Sequence, residues 1–146
     1  MRIKLMLLAI GLGVGGTETH ILELASGIDR SKFDVTVCSL KPGGCVIDEL
    51  RRRGIRVVCL NGAGKFDLRV LFRLWRLVRE ERPDVMQSFL FWANVSARVL
   101  GRVSKAVRVV CSYHDEIVSE GRLMRMIDRL TFRWSHAVVC CSVAVR

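Results

Sequence analysis

Proline is scarce in this sequence: two prolines occur in 146 residues, and no low-complexity tract is present. Hydrophobic residues make up 51% of the chain, so disorder is not expected except at the ends. A chain of this length is long enough to bury the core of one ordinary domain. We therefore predict a single folded domain over residues 1–146.

Long hydrophobic runs are missing too. No segment reaches the roughly 18 consecutive apolar residues that a membrane-spanning helix needs, so no span is predicted. The N-terminal stretch MRIKLMLLAI is short, and it is followed by glycines and not by an A-x-A cleavage site. These features favour a buried first strand over a signal peptide.

The sequence also lacks the spacings that bind metals. Its six cysteines form no C-x-x-C pair, and no histidine lies at the spacing of a metal ligand. Predicted strands contain Cys38, Cys59, Cys111 and Cys140, where cysteine acts as a small hydrophobe in a reducing cytosol. No pair of aspartates suited to a metal is found, so we expect no metal. Cysteines that act as small buried hydrophobes predict a cytoplasmic location.

Acidic residues are in the minority: 24 Lys and Arg stand against 14 Asp and Glu, a formal net charge of +10. Such an excess predicts an anionic partner, either a phosphate, a nucleic acid or an acidic membrane surface. No helix-turn-helix, zinc finger or RNA-binding aromatic motif accompanies the charge, so a nucleic acid partner is not predicted.

Strand-length apolar runs alternate with helical periodicity along the whole chain. The predicted strands are 3–10, 34–40, 55–60, 84–89, 107–113 and 137–142, and the predicted helices are 18–28, 46–53, 67–81, 91–105 and 122–134. This alternation is typical of a parallel sheet with helices on both faces. We predict an α/β fold with a Rossmann-like, doubly wound, largely parallel sheet of about six strands. Thr17 is the predicted N-cap of the first helix.

The loop after the first strand is rich in glycine. Gly11, Gly13 and Gly16 have the spacing G-x-G-x-x-G, which lets a backbone approach a phosphate at a helix N-terminus. No G-K-[ST] closes the loop, so a Walker-type site is excluded. The second strand ends in SLKPGG without an acidic residue, which disfavours NAD. NADP binding through Lys41 and a turn with no ligand both stay open.

Four segments resemble the family 4 glycosyltransferases, and they occur in the family's order: GGTE at 15–18, RPDVMQSFLFWANVSARVLGRV at 82–103, VRVVCSYHDE at 107–116 and HAVVCCS at 136–142. The resemblance implies the amino-terminal, acceptor-side lobe of a two-lobed GT-B fold, without the donor-binding lobe. It also implies a retaining hexosyltransferase, inactive as a lone lobe. Such an enzyme uses a nucleotide-sugar donor and a lipid or glycan acceptor, and needs no metal or cofactor. Gln87 and Phe89 depart from the family, many of whose members carry His at these positions.

The resemblance also assigns residues to the site. Gly15 and Gly16 lie against the diphosphate and sugar of the donor, and His114 is catalytic, donating a hydrogen bond or carrying a proton near neutral pH. The other predicted substrate-binding residues are Glu18, Ser88, Asn94, Asp115, Glu116 and Ser142. Simpler roles stay open, because acidic residues favour the first turn of a helix and Ser142 suits an N-cap.

Two predicted helices carry arginines on one face and apolar residues beside them, at about 100° per residue. In the last helix the arginines are Arg122, Arg125, Arg129 and Arg133, flanked by Leu123, Met126, Leu130 and Trp134. In the third helix they are Arg69, Arg73 and Arg76, opposite Leu68, Leu71, Phe72, Trp75 and Val78. Basic amphipathic helices with aromatic residues are typical of membrane-surface binders, and members of the family often glycosylate lipids. Peripheral attachment to an anionic inner membrane face is predicted; a solvated basic edge and a noncatalytic membrane-binding module of the same fold are the alternatives.

Overall fold

The computed structural model describes residues 1–64, 67–113 and 121–140. The site predictions for four residues therefore concern positions outside the described ones: His114, Asp115, Glu116 and Ser142.

Strands and helices alternate through the described residues. The strands are β1 (Ile3–Ala9), β2 (Phe33–Ser39), β3 (Arg56–Cys59), β4 (Val85–Phe89), β5 (Arg108–Tyr113) and β6 (Ala137–Cys140). The helices are α1 (Gly16–Gly27), α2 (Val46–Arg52), α3 (Leu68–Glu81), α4 (Phe91–Ser104) and α5 (Arg122–Phe132).

The six strands form one sheet in the order β3-β2-β1-β4-β5-β6. Every neighbouring pair is parallel. At the centre, Leu7 of β1 lies opposite Val37 of β2 and Gln87 of β4. The chain winds outward from β1 in one direction and then crosses over to wind outward from β4 in the other. The predicted Rossmann-like parallel sheet is confirmed.

Each face of the sheet carries its own hydrophobic core. Side chains alternate along a strand, so Leu5 and Leu7 of β1 pack with α1 and α2, whereas Met6 and Leu8 pack with α3 and α4. Leu7 and Leu8 are fully buried, because β1 is central and covered on both faces. The near-continuous apolar run at the start of the sequence is explained by this double burial.

The core-facing side of α3 agrees with the predicted one at Trp75 and Val78 and differs from it at other positions. Its buried residues are Val70, Leu74, Leu77 and Val78, whereas Leu68 and Phe72 of the predicted apolar face are 76% and 61% exposed. The helix carries more apolar residues than one face can hold, and the sheet covers the arc that contains the 70, 74 and 77 positions. Arg73 is not a free surface cation, because it donates to the carbonyl oxygen of Leu60 at 2.7 Å.

Helix α5 is attached to α4 and β5 through buried polar groups. Only Asp128 and Thr131 of α5 are buried. Asp128 accepts hydrogen bonds from Nη1 of the fully buried Arg98 at 2.6 Å and from the Tyr113 hydroxyl at 2.7 Å. Arg98 also donates to Ser135 at 2.8 Å and to the Tyr113 oxygen. We call Arg98, Tyr113, Asp128, Thr131 and Ser135 the Arg98 cluster.

Burial raises the pKa of the Tyr113 hydroxyl above its ordinary value, and the hydrogen bond to Asp128 raises it further. Tyr113 therefore stays protonated at neutral pH and acts as a donor to Asp128. The cluster satisfies the guanidinium from several sides, as a buried charge requires.

Removing the carboxylate from this cluster should be strongly destabilising. We expect Asp128→Ala to lower the free energy of unfolding by about 3–5 kcal/mol, because the buried Arg98 charge is left without its partner. Urea denaturation followed by circular dichroism measures the loss.

Glu80→Ala is the matched control. It breaks the Arg76–Glu80 pair at 3.1 Å, in which both side chains are more than half exposed, and exposed pairs contribute little. Equal losses in the two variants would contradict the account of the Arg98 cluster.

Candidate functional site

The loops that follow the strands meet at one edge of the sheet, because all strands run in the same direction. In open α/β sheets, ligands bind at this carboxyl edge, near the point where the strand order reverses. Here that point lies between β1 and β4. The loop of residues 10–15 and the turn at Leu90 therefore flank the candidate site.

The glycine loop is held in place by the loop after β2. The fully buried Leu12 anchors it in the core, and its carbonyl oxygen accepts from the Val46 N–H at 3.2 Å. A Cβ on Gly44 would lie 2.1 Å from that oxygen, and Gly44 has a φ of +136°, so this position requires glycine. Cys45 donates through Sγ to the Gly13 carbonyl oxygen at 3.2 Å. The two loops therefore fix each other's backbone.

The N-terminus of α1 opens directly behind this loop. Gly15 is the N-cap and no side chain caps the helix. The prediction of Thr17 as the N-cap is thus wrong, because the helix already begins at Gly16, one residue before it. A Cβ built on Gly16 meets nothing within 4 Å. The helix end therefore presents uncapped N–H groups beside open space, which suits an anion.

Glu18 lies at the same helix end. A Cβ on Gly15 would come within 2.3 Å of a Glu18 carboxylate oxygen, so the carboxylate folds back over Gly15. A negative charge is favourable at this position because of the helix dipole. A phosphate bound at the helix end would compete with the carboxylate, and a contact between Glu18 and substrate stays a prediction.

Ser88 and Asn94 are turned into the protein. Both are fully buried, and the Ser88 hydroxyl donates to the Asn94 side-chain oxygen at 2.7 Å. The Asn94 amide donates to the Ser112 carbonyl oxygen at 3.2 Å, and Gln87 donates to the Ser112 hydroxyl at 2.9 Å. These bonds tie the first turn of α4 to the ends of β4 and β5. Ser88 and Asn94 thus help to position the first turn of α4, and their predicted contact with substrate stays a prediction.

Leu90 is a feature of the site that sequence reasoning missed. It is the N-cap of α4 and has φ 70° and ψ 163°, a conformation that is almost restricted to glycine and costs of order 1–3 kcal/mol in other residues. Strain of this kind clusters at functional sites. A glycine would have signalled the turn, but nothing about a leucine does.

The four arginines predicted to face a membrane are all exposed: Arg122, Arg125, Arg129 and Arg133. Leu123, Met126 and Leu130 beside them are 63%, 53% and 55% exposed. Within residues 1–64, 67–113 and 121–140, no helix combines the length and hydropathy needed to cross a bilayer. The same residues contain no group of three His, Cys, Asp or Glu side chains placed to share a metal ion.

Known structures share this fold at low sequence identity. Anabaena Alr3699/HepE, solved in complex with UDP, superposes with a TM-score of 0.80 at 17% identity, over 98% of this chain and 39% of that chain. The lipopolysaccharide outer core galactosyltransferase WaaB superposes with a TM-score of 0.72 at 12% identity, over 98% of this chain and 40% of that chain. Acinetobacter baumannii MurG superposes with a TM-score of 0.69 at 16% identity, over 95% of this chain and 41% of that chain. The chain therefore spans about two fifths of the length of these structures.

Sequence comparison assigns the family. No curated protein is similar enough in sequence to count as a match. The family model described as Glycosyltransferase Family 4 matches residues 14–146, a range that includes the GGTE segment and every element after β1. The chain belongs to glycosyltransferase family 4.

Proposed function

We propose that this chain is the acceptor-side lobe of a retaining glycosyltransferase, which moves a hexose from a nucleotide sugar to a lipid or glycan acceptor in the cytoplasm. One observation carries the proposal: a preformed glycine loop and an uncapped helix N-terminus lie together at the switch point of the sheet. This arrangement suits the diphosphate of a nucleotide sugar. Family membership supports the same reaction class.

A second lobe completes the proposed enzyme. The chain covers 39% of Alr3699/HepE, which has been solved with UDP and with UDP and glucose. A donor held across a cleft needs contacts from both sides to reach a reactive geometry. We therefore propose that a donor-binding lobe shares the nucleotide sugar with this one, and that this lobe alone transfers no sugar.

The proposed roles follow the order of the site along the chain. Gly15 and Gly16 lie against the diphosphate and sugar, and His114, the residue after Tyr113 in the sequence, donates a hydrogen bond or a proton. The Arg98 cluster fixes Tyr113, the residue before His114, through two hydrogen bonds. Asp115, Glu116 and Ser142 are proposed to contact substrate. The proposal includes no metal or cofactor, and membership of family 4 leaves the NADP alternative without support.

A glycine substitution tests the donor site. In the complete two-lobed enzyme, we expect Gly16→Ala to raise the KM for the nucleotide sugar by about tenfold, equivalent to about 1.4 kcal/mol. The added methyl group meets no protein atom within 4 Å, so the fold is kept, but it occupies the space the diphosphate needs. Steady-state kinetics with a panel of nucleotide sugars and a thermal melt measure both effects.

Gly27→Ala is the matched control, at the other end of the same helix and equally free of neighbours. It should leave the KM within twofold. Equal effects of the two variants would remove the glycine loop from the site. If the folded two-lobed enzyme transfers no sugar from any donor, the proposed function itself is contradicted.

We further propose that α5 attaches the lobe to an anionic membrane surface. Asp128 and Thr131 point inward, which leaves the arginines and the exposed Leu123, Met126 and Leu130 on the outside. Each basic residue near an anionic surface contributes about 1 kcal/mol, and the apolar side chains add insertion. The noncatalytic membrane-binding alternative rests on this same surface.

Vesicle binding should depend on charge and salt. We expect the chain to co-sediment with vesicles rich in acidic lipid at low salt and weakly at high salt, because the Debye length falls to about 8 Å at physiological ionic strength. Neutral vesicles should bind little. Changing Arg122, Arg125 and Arg129 to Glu should abolish binding to the acidic vesicles.

The control makes the same change in charge elsewhere, on the exposed Arg102, Lys105 and Arg108. It should retain most of the binding. An equal loss of vesicle binding in both variants would show that only net charge matters. If the unmodified chain binds neither kind of vesicle, the proposed membrane attachment is contradicted.

A further inference from the structure

An apolar groove opens at the carboxyl edge of the sheet, between the ends of β1 and β2 and the helices α3 and α4. It has a volume of about 180 Å³. Its walls are built mainly from Ile10, Leu40, Leu71, Trp92, Val95 and Val99. An apolar cavity of about 150 Å³ is large enough to bind benzene, so this groove has room for a ring or a short stretch of alkyl chain.

The groove is kept open by its surroundings. A Cβ on Gly62 would lie 2.9 Å from the Leu40 carbonyl oxygen and 2.5 Å from Val70, so the loop after β3 packs closely there only because residue 62 is glycine. Arg73 holds the same loop by its hydrogen bond to the Leu60 carbonyl oxygen at 2.7 Å. These contacts fix the loop after β3 as one wall of the groove.

Among the residues that the structure describes, two charged ones line the groove, and they differ in whether their charge already has a partner. Asp67 is already used: it accepts from the N–H groups of Ala63 at 3.2 Å and Arg69 at 3.0 Å. The hydrogen bond from Ala63 and that from Arg69 lower the pKa of Asp67. Lys41 is exposed and forms no ion pair with any residue in the described ranges. Its stem passes Gly11, where a Cβ would lie 3.9 Å from the lysine Cδ.

Lys41 therefore stands between the apolar groove and the glycine loop. We propose that the groove binds the apolar chain of an amphiphilic acceptor whose anionic group pairs with Lys41. This inference rests on the proposed function, and it selects a lipid-like acceptor over a purely polar glycan. The arrangement sets the head of the amphiphile beside the loop that faces the donor, which is where an acceptor must be held for transfer.

Octyl phosphate, used below its critical micelle concentration, probes the groove in this chain by isothermal titration calorimetry. We expect one molecule to bind per chain and Val99→Glu to weaken binding at least tenfold, because a carboxylate then enters the apolar wall and repels the phosphate. Val99 is 36% exposed, so the variant is expected to fold, and circular dichroism checks this. Val99→Thr, nearly the same shape, should weaken binding by a smaller factor and serves if the first variant fails to fold.

Val103→Glu is the matched control, because Val103 lies one turn further along α4, is 63% exposed and does not line the groove. It should change the affinity less than twofold. If both glutamate variants weaken binding equally, or if wild-type chain binds no octyl phosphate, the inference is overturned.

The role of Lys41 is tested by comparing probes. Lys41→Gln should weaken the binding of octyl phosphate about fivefold and leave the binding of 1-octanol unchanged. The control variant Lys105→Gln should change the affinity for neither compound. Inorganic phosphate should not compete at the same concentration; full competition by phosphate would show a simple anion site and overturn the inference. No nucleotide sugar is present in these experiments. If the chain binds octyl phosphate but the complete enzyme transfers no sugar, the result counts against the proposed function alone. If the enzyme transfers sugar but the chain does not bind octyl phosphate, the result counts against the groove alone.

Discussion

The common direction of the six strands is the constraint on which the site depends. Parallel pairing forces every connection to cross a face of the sheet, so the chain arrives at the same edge after each strand. The crossover from β3 to β4 places α1 and α2 on one face and α3 and α4 on the other. The glycine loop, Lys41, Leu90 and Tyr113 are distant in sequence, but each lies at the carboxyl end of a strand and so reaches this edge.

Polar groups buried beneath the edge hold its parts in position. The Ser88–Asn94 bond fixes the start of α4, and the Arg98–Asp128 pair connects α4 to α5. Buried polar groups are stabilising only when they are fully partnered, which makes each cluster specific for one arrangement of the helices. Because α5 uses Asp128 and Thr131 for attachment, its arginines and apolar side chains are left for another surface.

Much of this architecture could be predicted from the sequence. The alternation of apolar runs and helical periods predicted every strand and helix among the described residues, and the spacing of the glycines indicated the loop after β1. The rest depends on tertiary contacts. Only the sheet decides which arc of α3 is covered. The partner of Arg98 is 30 residues away in sequence, and no residue type signals the φ of Leu90. The groove arises from elements that are separate in sequence, so no single segment contains its pattern.

Amide hydrogen exchange of the complete two-lobed enzyme, with and without a nucleotide sugar, tests the central claim most directly. The account predicts protection at the carboxyl edge, in residues 11–16 and 41–45, because the ligand is held against these loops. Residues 28–32 and 104–106, at the opposite edge of the same sheet, should exchange at unchanged rates. Protection confined to the opposite edge, or none in this lobe while the donor is bound, would contradict the placement of the site.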